Sequence, residues 1–435
     1  MLRPHSCNRE VRTAAILRVQ LRPPTAERCG QKRTVELNPA LANREKLLTT
    51  ASYYASFIGL GAAAGVIGPT LPGLAEQTHS PLAALGVLFT ARSAGYITGS
   101  WVGGRLYDRL PGHPVAAGAL LGIAGLLALV PALPVLWVLA LLMFVLGLAD
   151  SALDVGANTL IVRVHGDAVG PFMTALHFFF GAGAFIAPVI AGWAISATHD
   201  IHWAYWGLAL LMLPPALWLL RQRSPAAKMK GPEAAAGHAN VWLVALIAML
   251  FFFYVGTEVG FSGWVSSYAV ATGMFNEAEA AYLASAFWGA FTVARLAAIP
   301  IASRVRPRYV LLVDLLGVLA SLGLIVALPQ SRAALWAGTL GVGLFMASIF
   351  PTNINLASRR LTLTGVLTGL FFAVGSLGAM TLPLAIGPLL VGVGPRAAMS
   401  AFGLFIVASL VVWAVLMART AQPAQTARHG QSMQP

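Results

Sequence analysis

The chain has 435 residues, of which 58% are hydrophobic and only 10% are charged. Soluble proteins carry about 25% charged residues, so this composition excludes a water-soluble protein. The net charge of +13 is compatible with nucleic-acid binding, but the basic residues are placed as orienting charge in a membrane protein, which argues against a nucleic-acid partner.

Apolar blocks separated by short polar breaks follow one another along the chain. Each is about 20 to 30 residues long, the length at which a helix spans a bilayer, and together they predict twelve transmembrane helices. The predicted spans are 49–74, 82–106, 114–131, 134–163, 170–195, 202–221, 241–271, 279–303, 308–328, 333–357, 364–391 and 396–418. The longest internal polar break, 222–240, separates a six-helix bundle at 49–221 from a second one at 241–418.

The polar segments at the two ends and in the middle are predicted to be irregular. Residues 1–48 and 419–435 are predicted as disordered cytoplasmic tails, the first of them basic, and 222–240 as a cytoplasmic linker. Residues 1–47 contain no apolar core of a signal peptide, and an over-extended start codon is an alternative explanation for them. Cys7 and Cys29 both fall in this stretch, so the chain provides neither a disulfide framework nor a cysteine metal site.

Lysine and arginine are distributed unevenly between the two sides of the predicted bundle. Twelve of the 28 lie in alternate loops, whereas the loops of the opposite side carry only Arg332 and Arg396. Because cytoplasmic loops are enriched in basic residues, we predict a multi-pass protein of the cell membrane with both termini in the cytoplasm. The lipid bilayer is therefore a partner, and a monomer is expected.

The two halves contain an internal repeat. A shift of 195 residues aligns seven glycines of the first half with seven of the second, whereas chance predicts about 2.5 pairs. The aligned pairs are Gly61 with Gly256, Gly65 with Gly260, Gly68 with Gly263, Gly122 with Gly317, Gly170 with Gly365, Gly183 with Gly378, and Gly192 with Gly387. Matched glycines fit close packing between membrane helices. The predicted fold is all-α, with twelve transmembrane helices in two pseudo-symmetric six-helix bundles.

The loop between spans two and three, 103–113, reads GGRLYDRLPGH. It resembles the cytoplasmic loop motif of the major facilitator superfamily, in which a glycine precedes an aspartate-arginine pair and a second glycine follows it. The resemblance implies that Gly104, Asp108 and Arg109 form a gate, with the aspartate holding a neighbouring helix until the cytoplasmic side opens. The corresponding loop of the second half, 304–308, has no acidic residue, so a symmetric gate is not expected.

Three short stretches resemble one branch of that superfamily. Span four contains LDVGANT at 153–159 and span ten contains SIFPT at 348–352, which are similar to the sugar symporters for fucose, galactose and glucose. Span seven contains YVGTEVG at 254–260, followed by Gly263 and Trp264, and resembles the sodium-dependent glucose transporter relatives. Span one lacks the second carboxylate of the fucose symporters, so proton coupling by their scheme does not follow.

Charged side chains inside the spans are candidates for ion coupling, since each costs at least about 2.5 kcal/mol at bilayer depth. Asp150, Asp154 and Asn158 are spaced i, i+4 and i+8, on one face of span four. Two acids one turn apart repel each other when both are ionised, so the pair is suited to carrying a proton. The alternative is that one acid is fixed in a structural pair with Arg92 or Arg295. These arginines are either counter-ions to the acids inside the spans or binders of an anionic substrate. The spans contain four intramembrane acids, including Asp314, and this number favours counter-ions.

Other polar and aromatic residues in the spans are candidates for coupling or for substrate contact. Glu258, between two glycines of span seven, is suited to a cation or a sugar hydroxyl, and a carboxylate satisfied by its neighbours is the alternative. Asp314 is expected to pair with a loop arginine. The predicted substrate-binding residues are Asn158, Asn353, Asn355, Trp264, Trp288 and His177. Amides bind hydroxyls and an aromatic face covers a sugar ring, although tryptophan and histidine are equally common in packing.

The predicted function is secondary active transport by alternating access, with proton- or sodium-coupled uptake of a hexose-type sugar. A proton-coupled exporter of drugs or metabolites is the alternative, because Gly183, Pro188 and Gly192 in span five resemble the glycine-proline motif of antiporters. The sequence contains no nucleophile, metal-binding or phosphate-binding constellation. An enzyme, a metal site and a cofactor are therefore not expected. The short loops also disfavour a receptor or scaffold.

Overall fold

The structure is a computed structural model that describes residues 39–225, 240–361 and 365–421. Within these ranges the chain forms twelve transmembrane helices and no strand. They are α1 (Pro39–Gly65 and Ile67–Gln77), α2 (Gly86–Arg109), α3 (Gly112–Leu129), α4 (Leu136–His165), α5 (Val169–Thr198), α6 (His202–Leu220), α7 (Val241–Ala271), α8 (Glu277–Arg304), α9 (Pro307–Ala327), α10 (Arg332–Met346 and Ile349–Ser358), α11 (Gly365–Gly392) and α12 (Pro395–Ala421). Short 3-10 turns precede α2, α4 and α5.

The predicted tails and linker lie largely outside the described residues, as do both cysteines. The described part of the predicted tail 1–48 is helical, since α1 begins at Pro39 rather than at 49. Proline is favoured in the first helical turn, and hydropathy detects only the apolar core of a helix, not its polar extension. At the linker, Gln222 accepts a hydrogen bond from Ser52 at 3.0 Å, so its first residues pack on the N-terminal bundle.

Ten helices of the described chain are each long and apolar enough to span a membrane, and the two segments of α1 form a further, bent span. The remaining helix, α2, falls short because glycine, serine, threonine and tyrosine dilute its apolar residues. Arg92, Tyr96 and Ser100 of this helix form hydrogen bonds with α4. Helix α2 completes the predicted set of twelve.

Two of the spans are broken, and a proline explains each break. The two segments of α1 meet at an angle of 48°, and Pro69 cannot donate a backbone hydrogen bond to Gly65. In α10 the helix is interrupted at Ala347 and Ser348. Pro351 removes the bond to Ala347 in the same way. The sequence predicted α10 as one uninterrupted span, because hydropathy does not register a local break.

The repeat recurs in the packing inside each half. An ideal Cβ on Gly61 of α1 would lie 1.9 Å from the carbonyl oxygen of Phe180 in α5, and one on Gly183 would lie 2.0 Å from that of Ile58. In the second half, a Cβ on Gly378 of α11 would lie 2.0 Å from the carbonyl oxygen of Phe252 in α7. The first and fifth helices of each half therefore touch backbone to backbone through glycines that the 195-residue shift aligns.

The loops define two ends of the bundle. We call the end with the α2–α3, α4–α5, α6–α7, α8–α9 and α10–α11 connections the basic face, because it carries the arginine-rich loops, and the other end the opposite face. At the opposite face Gly68 packs on Gly263, its own repeat partner, and Gly192 and Gly387 pack on Ala278 and Ala83. The last two contacts are also related by 195 residues. A pseudo-two-fold axis thus passes between the halves.

The contacts across the halves seal the opposite face. Besides the glycine contacts, the Thr90 hydroxyl of α2 donates to the Met380 carbonyl of α11 at 2.8 Å. Deeper in the bundle α5 packs on α8, where Gly181 receives the Thr292 side chain and Phe180 meets Trp288 with ring centroids 6.1 Å apart. The two bundles therefore close on each other from the opposite face inward to mid-depth.

Exposed tryptophans mark both ends of the apolar surface. Near the basic face Arg105 lies 3.9 Å above the Trp101 ring and Arg419 lies 5.8 Å above Trp242. Near the opposite face the exposed tryptophans are Trp137, Trp193, Trp203 and Trp206. Aromatic belts of this kind sit at the two membrane–water interfaces, so they agree with a bilayer lying around the bundle.

Gly61→Ala should destabilise the protein by about 1–3 kcal/mol, the usual cost of overpacking, because the new methyl group would meet the Phe180 carbonyl. Gly118→Ala in α3 is the matched control, since a Cβ there has no neighbour within 4 Å. It should be neutral or slightly stabilising. The thermal denaturation midpoint in detergent measures both, and equal midpoints would contradict the backbone contact.

Candidate functional site

Close approach of α2 to α4 builds the polar centre of the first half. An ideal Cβ on Gly95 would lie 1.9 Å from the Phe144 carbonyl oxygen, and one on Gly147 would lie 2.0 Å from that of Arg92. A hydrogen bond of 2.7 Å between the Ser100 and Ser151 hydroxyls adds to this contact. Because the two helices are so close, Arg92 and Tyr96 of α2 lie directly beside the acids of α4.

Arg92 and Asp150 form a buried ion pair. The Arg92 Nη2 atom lies 2.6 Å from Asp150 Oδ2, and Nε donates to the same oxygen at 2.8 Å. The Asp150 side chain is 3% exposed and that of Arg92 is 16% exposed. This geometry gives Arg92 a counter-ion within its own half, which is the arrangement that the low dielectric of a bilayer requires.

Asp154 has neutral partners instead. The Tyr96 hydroxyl donates to Oδ2, and Asn158 Nδ2 donates to Oδ1 at 2.8 Å and to the Asp154 carbonyl at 2.9 Å. Within the described part of the chain, none of the basic side chains forms an ion pair with Asp154. The α2–α4 cluster, which we define as Arg92, Tyr96, Asp150, Asp154 and Asn158, thus holds two carboxylates and one cation.

The second half carries its own charged group. Glu258 of α7 lies within electrostatic range of Arg295 of α8 and of Tyr254 one turn before it. Arg295 also lies 4.4 Å above the Phe291 ring, and its buried Nε atom has no hydrogen-bond partner among the described residues. Glu258 and Arg295 are therefore opposite charges that lie near each other within the second bundle.

His177 of α5 approaches this charge from the first half. It lies within electrostatic range of Arg295 and meets the Phe57 ring edge-on at a centroid distance of 5.9 Å. Trp288, on the same helix as Arg295, packs on Phe180 of α5. These residues bring the predicted His177 and Trp288 together at mid-depth between the two halves.

The structure separates the two predicted asparagines of α10. Asn353 is fully buried, and neither its amide nitrogen nor its amide oxygen has a hydrogen-bond partner in the described chain. One turn earlier, Phe350 packs on Phe251 and Tyr254, so this side of α10 faces α7. Asn355 instead accepts from Arg359 Nε at 3.0 Å, close to the basic face. Residues two apart on a helix point in different directions.

Trp264 is a predicted substrate contact that is enclosed in this conformation, and the partner of Asp314 differs from the one expected. Trp264 is fully buried against Phe89 at the sealed opposite face, with ring centroids 6.4 Å apart, and is not open to a ligand in this conformation. Asp314 accepts a hydrogen bond from Ser348 at 2.5 Å rather than pairing with a loop arginine. Ser348 lies at the break in α10, and hydropathy does not reveal a break of that kind.

The 103–113 loop is anchored by a residue that the motif does not include. The Tyr107 ring is buried where Gly156 of α4 leaves space, since a Cβ there would lie 1.9 Å from the Tyr107 hydroxyl. Arg163 donates to the Tyr107 carbonyl at 3.1 Å. Asp108 and Arg109 are exposed at the basic face, and Gly104 has no neighbour within 4 Å of an ideal Cβ.

Sequence reasoning missed Tyr96, the hydrogen-bond donor to Asp154. Its signal was present in the spacing, because Tyr96 follows Arg92 by one turn on α2 just as Asp154 follows Asp150 on α4. Two facing helices with such matched pairs place the second members opposite each other once the first members pair. Tyrosine is easily overlooked because it is common in apolar spans.

Two pseudo-symmetric six-helix bundles, each with buried charges among its membrane-spanning helices, define a membrane transporter rather than an enzyme. The family model of the Major Facilitator Superfamily matches residues 53–383, and the chain belongs to this superfamily. It is 32% identical to the mouse "Sodium-dependent glucose transporter 1A" over 375 residues, covering 77% of this chain and 88% of that protein. The human "Sodium-dependent glucose transporter 1" is 30% identical over 372 residues, with 77% and 72% covered.

Solved structures agree in fold. The D-xylose-proton symporter aligns with a TM-score of 0.69 at 13% identity, covering 84% of this chain and 97% of the symporter. The transporter FucP in its outward conformation aligns with a TM-score of 0.60 at 18% identity, covering 86% and 99%. The predicted fold, its membership of the superfamily and its likeness to the sugar-transporter branch are thereby confirmed.

Asp150→Asn should destabilise the protein by about 3–5 kcal/mol, because it leaves the Arg92 charge buried without a partner. The double variant Arg92→Gln/Asp150→Asn removes both charges and should recover most of the loss. Thermal denaturation in detergent measures both variants. Should Asp150→Asn prove as stable as the wild type while losing transport, Asp150 acts in coupling and not as a fixed structural partner.

Proposed function

We propose that this transporter takes up a hexose-type sugar by alternating access, driven by the movement of a proton or a sodium ion, with the basic face and both termini in the cytoplasm. The relatives named sodium-dependent glucose transporters support the substrate class. The arginine-rich loops support the orientation, since such loops stay on the cytoplasmic side.

The charge balance of the α2–α4 cluster is the observation that carries the proposal. Arg92 is matched by Asp150, so Asp154 is the carboxylate left without a cation. Tyr96 and Asn158 offer it hydrogen bonds, and neither neutralises its charge. A group with this environment can hold a proton in one facing of the transporter and release it in the other, or can attract a sodium ion, at modest cost to the fold.

The sugar would lie between the halves, near the groups whose hydrogen-bonding capacity is unused. Asn353 has a buried amide with no partner among the described residues, and amides bind hydroxyls as both donor and acceptor. Trp288 and His177 lie at the α5–α8 contact between the halves. Hydroxyl groups would satisfy the amide, and an aromatic ring would cover the apolar side of the sugar.

The exporter alternative receives no specific support from the glycine-rich α5. Gly183 packs on the Ile58 backbone and Gly192 packs on Ala278, so both glycines are explained by close helix contacts. Equivalent glycines in α11 make the same contacts in the second half. The glycine pattern therefore follows from the repeat and indicates no direction of transport.

Asp154→Asn should abolish uphill sugar accumulation in proteoliposomes, because asparagine mimics the protonated acid permanently. Counterflow of labelled hexose, which needs no net proton movement, should partly survive. Asp314→Asn is the matched control, since Asp314 is also buried but bonds Ser348 outside the α2–α4 cluster. Wild-type accumulation by Asp154→Asn would rule out Asp154 as the proton carrier.

Sodium coupling gives the reverse pattern. Glu258→Gln should then remove sodium stimulation, because it deletes the carboxylate that would bind the cation near Arg295. Asp154→Asn would mainly weaken sugar binding. Accumulation and counterflow of both variants, each with and without sodium, separate the two schemes. Failure of every hexose to show counterflow in the wild type would contradict the proposed substrate class.

Asp108→Asn should leave the fold intact and shift the balance between inward-open and outward-open states, because it removes a charge from the gate. Transport should fall by roughly fivefold or more, the effect of about 1 kcal/mol between states, while ligand binding changes less. Asp200→Asn at the opposite face is the control, since asparagine also caps a helix. Equal losses in transport and binding would argue against gating.

A further inference from the structure

A pocket opens on the basic face of the second half, between the start of α9 and the end of α10. Its volume is about 140 Å³, and its lining consists of Arg306, Pro307, Arg308, Leu356, Arg359 and Arg360. A water molecule occupies about 30 Å³, so the pocket has room for a group of several oxygen atoms. Four of the six lining residues are arginines and none is acidic.

The arginines of the pocket crowd like charges together. Burial, and then the neighbouring charge of Arg308, lower the pKa of the Arg360 guanidinium from its usual value. A guanidinium stays protonated in proteins all the same. The two side chains therefore repel each other, and an anion between them would relieve that repulsion.

Several donors in the pocket lack an acceptor. Buried Nε of Arg308 and buried Nη1 of Arg360 have no hydrogen-bond partner in the described chain. Nη2 of Arg308 donates to the Tyr309 hydroxyl at 2.8 Å, and Nη2 of Arg360 reaches only the Met417 sulfur at 3.7 Å. A thioether is a weak acceptor. A buried, charged donor without an acceptor costs free energy, so these atoms are suited to binding an oxyanion.

The start of α9 adds a favourable field. Arg306 precedes the helix without a side-chain cap, Pro307 is in its first turn, and that turn has no acidic residue. The free backbone N–H groups and the positive end of the helix dipole attract an anion. The corresponding loop of the first half has an acid that this loop lacks. The 195-residue shift aligns Arg304 with Arg109, but it aligns Ser303 with Asp108.

We propose that this pocket binds a phosphate-bearing anion, through Arg308 and Arg360 at the start of α9. An acidic lipid headgroup and a soluble phosphate share this chemistry. The lipid source is favoured by an exposed apolar strip of Tyr309, Val313 and Leu316, which continues along α9 from the pocket towards the bilayer. Acidic lipids are enriched on the cytoplasmic leaflet, the side assigned to the basic face.

The first arm of the test measures lipid binding to the full chain by native mass spectrometry. Wild type should retain dioleoyl phosphatidylglycerol in preference to dioleoyl phosphatidylcholine. Arg308→Gln/Arg360→Gln should weaken that preference by roughly tenfold to thirtyfold, about fivefold for each arginine. Arg221→Gln/Arg223→Gln, which removes two exposed arginines elsewhere on the basic face, is the matched control and should keep it.

The second arm measures the thermal denaturation midpoint in lipid-free detergent with millimolar inorganic phosphate. A rise in the wild type that the Arg308→Gln/Arg360→Gln variant lacks supports the site and shows that a soluble phosphate enters it. A lipid preference that depends on these arginines, without a rise, supports the site and assigns it to the headgroup. If neither signal changes on substitution, the proposal is overturned.

Arg360→Gln alone provides the same comparison if the double variant does not fold. It breaks only the weak contact to the Met417 sulfur. It should still lower the phosphatidylglycerol preference about fivefold. Binding is measured without transport, so the outcome is independent of the sugar and of the coupling ion. Wild-type preference in this variant would count against the site.

Discussion

The ion pair between Arg92 and Asp150 sets the constraint on which the polar centre depends. An isolated charge in the hydrocarbon region is costly, so the pair must be short, and it is, at 2.6 Å. It can be short only because α2 and α4 touch backbone to backbone, with Gly95 and Gly147 against carbonyl groups. Glycine thus stabilises the charge indirectly, by allowing two helices to approach.

The same contact determines the environment of Asp154. Once Arg92 binds Asp150, the helical spacing places Tyr96 beside Asp154, and Asn158 reaches it from the next turn of α4. The glycine contact between α2 and α4 therefore gives Asp150 a cationic partner and Asp154 neutral ones. Two neighbouring carboxylates on one helix face thus have different environments, one beside a cation and the other beside neutral hydrogen-bond donors.

The sequence was sufficient for the spans and the repeat because both depend on properties of single segments. Apolar length predicted the helices, and the glycine register predicted the repeat and close helix packing, which the structure has at Gly61 on α5 and Gly256 on α11. Pairing partners could not be predicted in this way. Whether Arg92 meets Asp150 or Asp154, and whether Asp314 meets an arginine or Ser348, depends on how one helix is rotated against another. Neither hydropathy nor spacing within one helix contains that angle.

The positions of the charges also bear on how the halves can move. Arg92 and Asp150 both belong to the first bundle, and Glu258 and Arg295 both belong to the second. The contacts named at the opposite face, by contrast, involve no ion pair. Gly68 packs on Gly263 and Gly192 on Ala278, beside the hydrogen bond from Thr90. Contacts of this kind can separate without breaking an ion pair. The two bundles can therefore rock apart while the Arg92–Asp150 pair stays intact, and Tyr96 and Asn158, the side-chain partners of Asp154, move with it because they lie in the same half.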